Sequence, residues 1–186
     1  MSRQYEKYSK KAVKLFNKKN YDEAIKYFDL AFSIKNDDPN MYCLKALCLF
    51  EFKRIDEAMQ LIEYGIKLDP NNKLLHLNKG NILFKSNRLE ESLEAYKNVV
   101  RIDPSDWDAW SLISIIYEKK GMYAEQLELV ERFLANNPND PDLLKAKENC
   151  LKNLNKNKNS KSFCVKCGQE IQSDSNFCTH CGTKLN

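Results

Sequence analysis

Residues 39–72 read PNMYCLKALCLFEFKRIDEAMQLIEYGIKLDPNN, and the spacing of their apolar side chains decides the fold. Tyr42, Ala46 and Leu49 recur at helical spacing, the mark of an amphipathic helix. Lys53-Arg54 interrupts the pattern, and Asp56-Glu57-Ala58 then opens a second helical stretch. Acidic side chains suit a helix N-terminus, where they answer free N–H groups and oppose the dipole. The stretch closes on Leu68-Asp69-Pro70, and proline disfavours helix at the residue before it. Two amphipathic helices joined by a short turn are therefore predicted over 39–52 and 56–68.

The same pattern recurs every 34 residues. Ala24, Ala58, Ser92 and Gln126 form one column; Phe28, Ile62, Tyr96 and Val130 another; Tyr21, Ile55, Leu89 and Tyr123 a third. Upstream come Tyr8, Tyr42, His76 and Trp110, then Ala12, Ala46, Gly80 and Ser114, then Leu15, Leu49, Leu83 and Tyr117. Asn36, Pro70, Pro104 and Pro138 close the units, which span 5–38, 39–72, 73–106 and 107–140. The small residues let two helices approach closely. One such hairpin cannot bury its own apolar face, so the units must stack. The predicted pairs are roughly 5–18 with 22–35, 39–52 with 56–68, 73–86 with 90–102, and 107–119 with 123–136. No strand is expected within 5–154.

These columns resemble the tetratricopeptide repeat family over about 1–154. The resemblance implies an all-α superhelix of four hairpins, with Leu143, Ala146, Cys150 and Leu154 of a capping helix, 141–154, covering its end. The fourth copy departs most: Gln126 replaces a small residue, and Phe133 stands where Ala31 and Gly65 stand, so looser packing is expected there. The resemblance also implies a peptide-binding concave face lined by first helices. Its expected residues are Ser9, Val13, Phe16, Cys43, Leu47, Phe50, Leu77, Asn81, Phe84, Ser111 and Ile115. Phe16, Phe50 and Phe84 stand 34 apart and read equally as an apolar ladder or as ordinary packing between hairpins. A subset of the family grips chaperone C-terminal carboxylates with Lys, Asn and Arg. Here those places hold Ser9, Val13, Leu44, Leu74 and Asn78, or one register later Cys43, Leu47, Asn78, Asp108 and Leu112, so no chaperone-tail capture is expected.

Residues 155–162 are polar and aperiodic and read as a flexible linker. Beyond it, over 163–186, Phe-Cys-Val-Lys-Cys-Gly and Phe-Cys-Thr-His-Cys-Gly place two residues between paired cysteines. Each pair aims two sulfurs at one ion, and four thiolates match the tetrahedral preference of zinc. The segment resembles the short zinc ribbons appended to many prokaryotic proteins, which carries ligation to Cys164, Cys167, Cys178 and Cys181. Iron is the chemical alternative at a four-sulfur site. One structural Zn2+ is expected: a core this short cannot fold alone, and four protein ligands leave no open position for substrate.

The chain has 186 residues and a formal charge of +4. Residues 1–20 hold seven Lys/Arg against one acid and 152–186 hold six against two, whereas 21–151 hold 17 against 23. Basic ends thus flank an acidic body, which reads first as solvated lysine on short flanks. No apolar stretch forms a signal peptide or a membrane span, so a cytoplasmic protein without a membrane partner is expected. Cys43, Cys48 and Cys150 lie on helical apolar positions and read as small buried hydrophobes. His76 reads as a packing residue and His180 as a spectator. No phosphate-cradling loop or His-based nucleophile pair is present, and no enzyme is expected. The sequence reads as a protein–protein interaction adaptor, the ribbon adding a second contact. The alternative is a nucleic-acid-associated protein of the transcription or translation machinery, using Lys152, Lys156, Lys158, Lys161, Lys166 and Lys184.

Overall fold

A computed structural model describes residues 3–159, 162–163, 170–171, 177 and 180–184. Among these the helices are α1 (Arg3–Asn17), α2 (Tyr21–Phe32), α3 (Pro39–Glu51), α4 (Ile55–Leu68), α5 (Lys73–Lys85), α6 (Leu89–Ile102), α7 (Trp107–Lys119), α8 (Tyr123–Leu134) and α9 (Pro141–Asn159). No strand falls within 3–159. The fold is the all-α tetratricopeptide arrangement of helical hairpins with a terminal helix. The chain divides into two compact units, Met1–Ile113 and Ser114–Asn186, the second beginning inside α7.

A left-handed residue makes each hairpin turn. Lys19, Lys53, Asn87 and Gly121 all have positive φ, between 59° and 68°, and stand 34 residues apart. The amide of each bonds the carbonyl three residues back: Lys19 to Phe16, Lys53 to Phe50, Asn87 to Phe84, Gly121 to Glu118. The next amide reaches five back, from Asn20 to Leu15, Arg54 to Leu49, Arg88 to Leu83 and Met122 to Tyr117. This is the double bond of a Schellman cap, which satisfies the last carbonyls of a helix. The same Asn20, Arg54, Arg88 and Met122 then offer their carbonyls to the second helix, from Ala24, Ala58, Ser92 and Gln126. One residue therefore ends the first helix and starts the second. These starts carry no side-chain cap; the acids expected there lie in the first turn, and Glu57 and Glu91 pair with Arg54 and Arg88.

Side-chain caps appear instead on first helices. Asp38, Asn72, Asp106 and Asp140 accept backbone N–H bonds at the starts of α3, α5, α7 and α9. The aromatic column ties down the loop behind each cap. Tyr42 Oη, His76 Nε2 and Trp110 Nε1 donate to the carbonyls of Asn36, Pro70 and Pro104, at 2.9–3.0 Å, each six residues upstream.

Within a hairpin the helices touch through the small columns. Ser92 Oγ donates to the Gly80 carbonyl at 2.8 Å. A Cβ on Gly80 would lie 2.6 Å from Tyr96 Cδ1, so only glycine admits this fully buried ring. In the second unit the buried Gln126 takes the place of a small residue and bonds Ser114 Oγ at 3.1 Å.

Between hairpins an apolar seam forms. Met41 and Cys48 of α3 join the core of Ala12, Leu15, Ala24 and Phe28; Leu75 and Ile82 of α5 join that of Ala46, Leu49, Ala58 and Ile62. An ion pair edges the seam: Lys45 to Asp29 at 2.5 Å and Lys79 to Glu63, and in the second unit Lys147 to Glu131 at 2.8 Å. At the equivalent of the lysine Ile113 is buried instead.

Helix α9 repeats the design of a first helix. Leu143 and Cys150 are buried and Asp140 caps it, while Leu144 and Leu151 are exposed. Glu148 occupies the column that is Ala12, Ala46, Gly80 and Ser114 earlier. The helix runs to Asn159, so 155–159, expected as linker, are helical. Lys and Asn are tolerated on a solvated helix, and no Gly or Pro stops this one.

Three substitutions test these contacts by urea unfolding. Gly80→Ala should destabilise by about 1–3 kcal/mol through overpacking against Tyr96. Lys53→Gly should stabilise by up to about 1 kcal/mol, relief of left-handed strain outweighing the entropy of glycine. The third concerns pH. Lys73 bridges Asp103 at 2.7 Å and Asp106 at 3.0 Å. Lys73 and then Ser105 hold the Asp103 carboxyl at about 2, below its ordinary 3.8. A carboxylate depressed in the folded state adds stability that is complete above its unfolded value and lost as pH falls through the folded one. Between pH 4 and pH 2 the Lys73→Met variant should therefore lose less stability than wild type; parallel curves would remove the bridge as the cause.

Candidate functional site

In the first unit α3 lies beside both of the other first helices, α1 and α5. Val13 and Phe16 are half-buried, each with one side on the first core. Leu47 and Phe50 sit likewise on the second core, and Leu77, Asn81 and Phe84 of α5 are half-buried too. Phe16 meets Tyr21 edge-on, with centroids 5.9 Å apart. Lys85 Nζ stands 5.7 Å from the Phe50 centroid, within cation–π range. The Asn81 side-chain oxygen accepts the Tyr96 hydroxyl at 2.8 Å, which fixes its amide. Ser9 is half-buried and donates to the Tyr5 carbonyl at 2.5 Å.

Cys43 does not belong to this surface. It is fully buried in the second core, and Asn78 Nδ2 approaches its sulfur at 3.3 Å. The residue after Tyr42 turns about 100° around the helix, which here is enough to carry it under α5 rather than into the open. Leu74 was absent from the expected set. It lies one turn before Leu77 and Asn78 on the same stripe and is 46% exposed. A leucine one turn before Leu77 was the available signal. Ser111 is half-buried, and Ile115, in the second unit, is 41% exposed.

Of the four expected metal ligands, Cys181 is described; Cys164, Cys167 and Cys178 lie outside the described residues. Cys181 Sγ is 3.0 Å from Thr183 Oγ1, and Gly182 has φ +68°. Strands β1 (Ser162–Phe163) and β2 (Glu170–Ile171) pair antiparallel, Phe163 opposite Glu170, and Phe177 bridges Lys184. Each pairing joins residues seven apart that flank one Cys-x-x-Cys-Gly sequence. Among the described residues no three His, Cys, Asp or Glu form a metal cluster, and no helix is long and apolar enough to cross a membrane.

Against known families, the model described as anaphase-promoting complex, cyclosome, subunit 3 matches 17–99, one described as TPR repeat matches 80–121, and one described as zinc-ribbon domain matches 163–185. The chain carries tetratricopeptide repeats. Among solved structures, MamA from Desulfovibrio magneticus RS-1 is similar with a TM-score of 0.66 and 17% identity, over 84% of this chain and 94% of its own. The first TPR of Spaghetti (RPAP3), bound to the HSP90 peptide SRMEEVD, is similar with a TM-score of 0.60 and 21% identity, over 65% and 96%. The yeast Sti1 TPR2B domain in complex with pHsp70 gives 0.59 and 18%, over 63% and 99%. Likeness at this identity establishes the fold alone. No curated protein matches the chain.

The buried cysteines of the repeats are chemically quiet. Burial pushes the Cys43 thiol up to about 11 and Cys48 to about 12, and raises Cys150. The thiolate is the reactive form. Iodoacetamide at pH 8 should leave all three unmodified in native protein and alkylate them in urea, read by peptide mass spectrometry.

Proposed function

We propose that the chain is a protein–protein interaction adaptor that holds an apolar segment of a partner against the shared face of α1, α3 and α5. The observation that carries this reading is the row of half-buried Leu47, Phe50, Leu77 and Phe84 with exposed Leu74 beside them. Partly exposed aromatic and aliphatic side chains on rigid helices are what binding anchors are made of. Two of the similar structures are TPR domains solved with a bound peptide or as a complex, which supports a protein partner. The chemistry of this face differs from carboxylate capture: Ser9, Val13, Leu44, Leu74 and Asn78 supply no cation. The C-terminal ribbon adds a second contact. One Zn2+, held by Cys164, Cys167, Cys178 and Cys181, supplies the folding energy that so short a segment lacks. The left-handed Gly182 after Cys181 and the paired flanks of each cysteine pair fit such knuckles.

Two experiments test this. Peptide display against the full chain should enrich sequences with apolar anchors and no required C-terminal acid, and the SRMEEVD peptide should not bind. Phe50→Glu should abolish the enriched peptides' binding while circular dichroism shows a folded chain. A folded variant that still binds them removes this face from the mechanism. For the ribbon, elemental analysis should find one zinc per chain, and Cys164→Ser should lose it while the helical melting transition is kept.

A further inference from the structure

We propose that the outer face of α1 docks an acidic helix of a partner protein, on the face where α3, α5 and α9 each receive the helix before them but with lysine in place of their two apolar seats. The template is internal. Each of those helices presents two buried apolar positions, Met41 and Cys48, Leu75 and Ile82, Leu143 and Cys150. Each also carries between them a lysine that pairs with an acid of the preceding helix, as in Lys45–Asp29, Lys79–Glu63 and Lys147–Glu131. On α1 the corresponding positions are Lys7, Lys14 and Lys11.

These lysines are part of a longer row. Arg3, Lys7, Lys10, Lys14 and Lys18 follow at steps of three and four, one exposed stripe roughly 22 Å long at 1.5 Å per residue. Its one acidic neighbour on the helix is Glu6, 3.9 Å from Lys10. Lys7, Lys10, Lys11 and Lys14 line a shallow depression floored by Tyr27, over whose ring Lys11 Nζ stands at 5.6 Å. The end of a helical stack needs polar side chains to stay soluble, but of either sign. A single sign is unfavourable here. Like charges three and four apart repel, and Arg3 at the N-terminus opposes the helix dipole, although Lys14 in the last turn suits it. An anionic partner converts that repulsion into attraction.

The partner is a helix rather than a nucleic acid on two grounds. The matching faces of α3, α5 and α9 each receive a helix whose acid meets the lysine. The stripe also offers no open aromatic platform for bases, because Tyr8 is half-buried and Tyr27 lies under Lys11. A second copy is a poor fit through α9, whose exposed residues Leu144, Glu148 and Leu151 are flanked by Lys145 and Lys152.

The test uses the full chain with a fluorescein-labelled 21-residue helical peptide bearing glutamate at every third or fourth position. Its controls are a scrambled peptide of equal charge, a 20-nucleotide single strand and a 20-base-pair duplex. Anisotropy should show the patterned peptide binding at least tenfold more tightly than the scrambled one and than either nucleic acid. Lys7→Glu/Lys14→Glu should weaken it at least tenfold, with helicity retained. Lys7→Gln/Lys14→Gln, which removes the charges without reversing them, should weaken it in the same direction if the reversed pair disturbs folding. Phe50→Glu should leave it unchanged, which separates this face from the groove. The proposal is overturned by equal binding of the scrambled peptide, by tighter binding of nucleic acid, or by affinity insensitive to both lysine pairs. Sedimentation showing self-association that the lysine variants abolish would replace the partner with a second copy and also overturn it.

Discussion

The helical repeats depend on two helices reaching van der Waals contact along their backbones immediately after a reversal of direction. The reversal is a backbone matter: one left-handed residue and two hydrogen bonds, repeated at Lys19, Lys53, Asn87 and Gly121. The contact is a side-chain matter: nothing larger than a hydroxymethyl group stands at Ala12, Ala46, Gly80 and Ser114. Because both recur at one interval, the same side chains return to the same places in each hairpin. The half-buried row on the first helices is a by-product. Phe16, Phe50 and Phe84 each supply the carbonyl bonded by the left-handed residue's amide, so the turn that builds the hairpin also fixes the proposed anchors.

Hairpin joins hairpin by different chemistry. The seam is apolar and its edge is ionic, and ion pairs open to solvent on their acidic side, as these are, each contribute about 1 kcal/mol or less. Geometry is enforced rather by the loops, where a capping Asp or Asn and a ring donor to a carbonyl hold each first helix to the end of the unit before it. The donor changes from phenol to imidazole to indole at Tyr42, His76 and Trp110 while the acceptor stays a backbone carbonyl. Imidazole is the least suited of the three: its Nδ1 is buried without a partner, a cost the other two avoid.

The fold was legible because its information is periodic, and a signal repeated four times survives local exceptions such as Gln126. The helix pairs follow from apolar spacing and from Lys53-Arg54, Ser86-Asn87-Arg88 and Lys120-Gly121 as interruptions. The left-handed state of Lys19, Lys53 and Asn87 was not legible, since lysine carries no compositional mark for it and glycine appears in just one copy. The role of His76 was half legible: its column marks it as packing, but its bond to Pro70 depends on loop geometry. Cys43 was misplaced because apolar character does not distinguish a side chain facing a neighbouring helix from one facing open space. The continuation of α9 through 155–159 was missed for the opposite reason, since a solvated helix needs no apolar period.

The 34-residue ruler does not end with the fourth hairpin. Asp140, Leu143, Lys147 and Cys150 keep its phase, so α9 is the opening half of a fifth unit. Glu148 stands where the earlier first helices carry a hydroxymethyl group or less, so a second helix could not pack there as closely as in the four hairpins. An alanine there would leave Leu144 and Leu151 flanking an open seat for any passing second helix. As it stands, the exposed carboxylate bars α9 from taking a second helix as closely as the earlier first helices do.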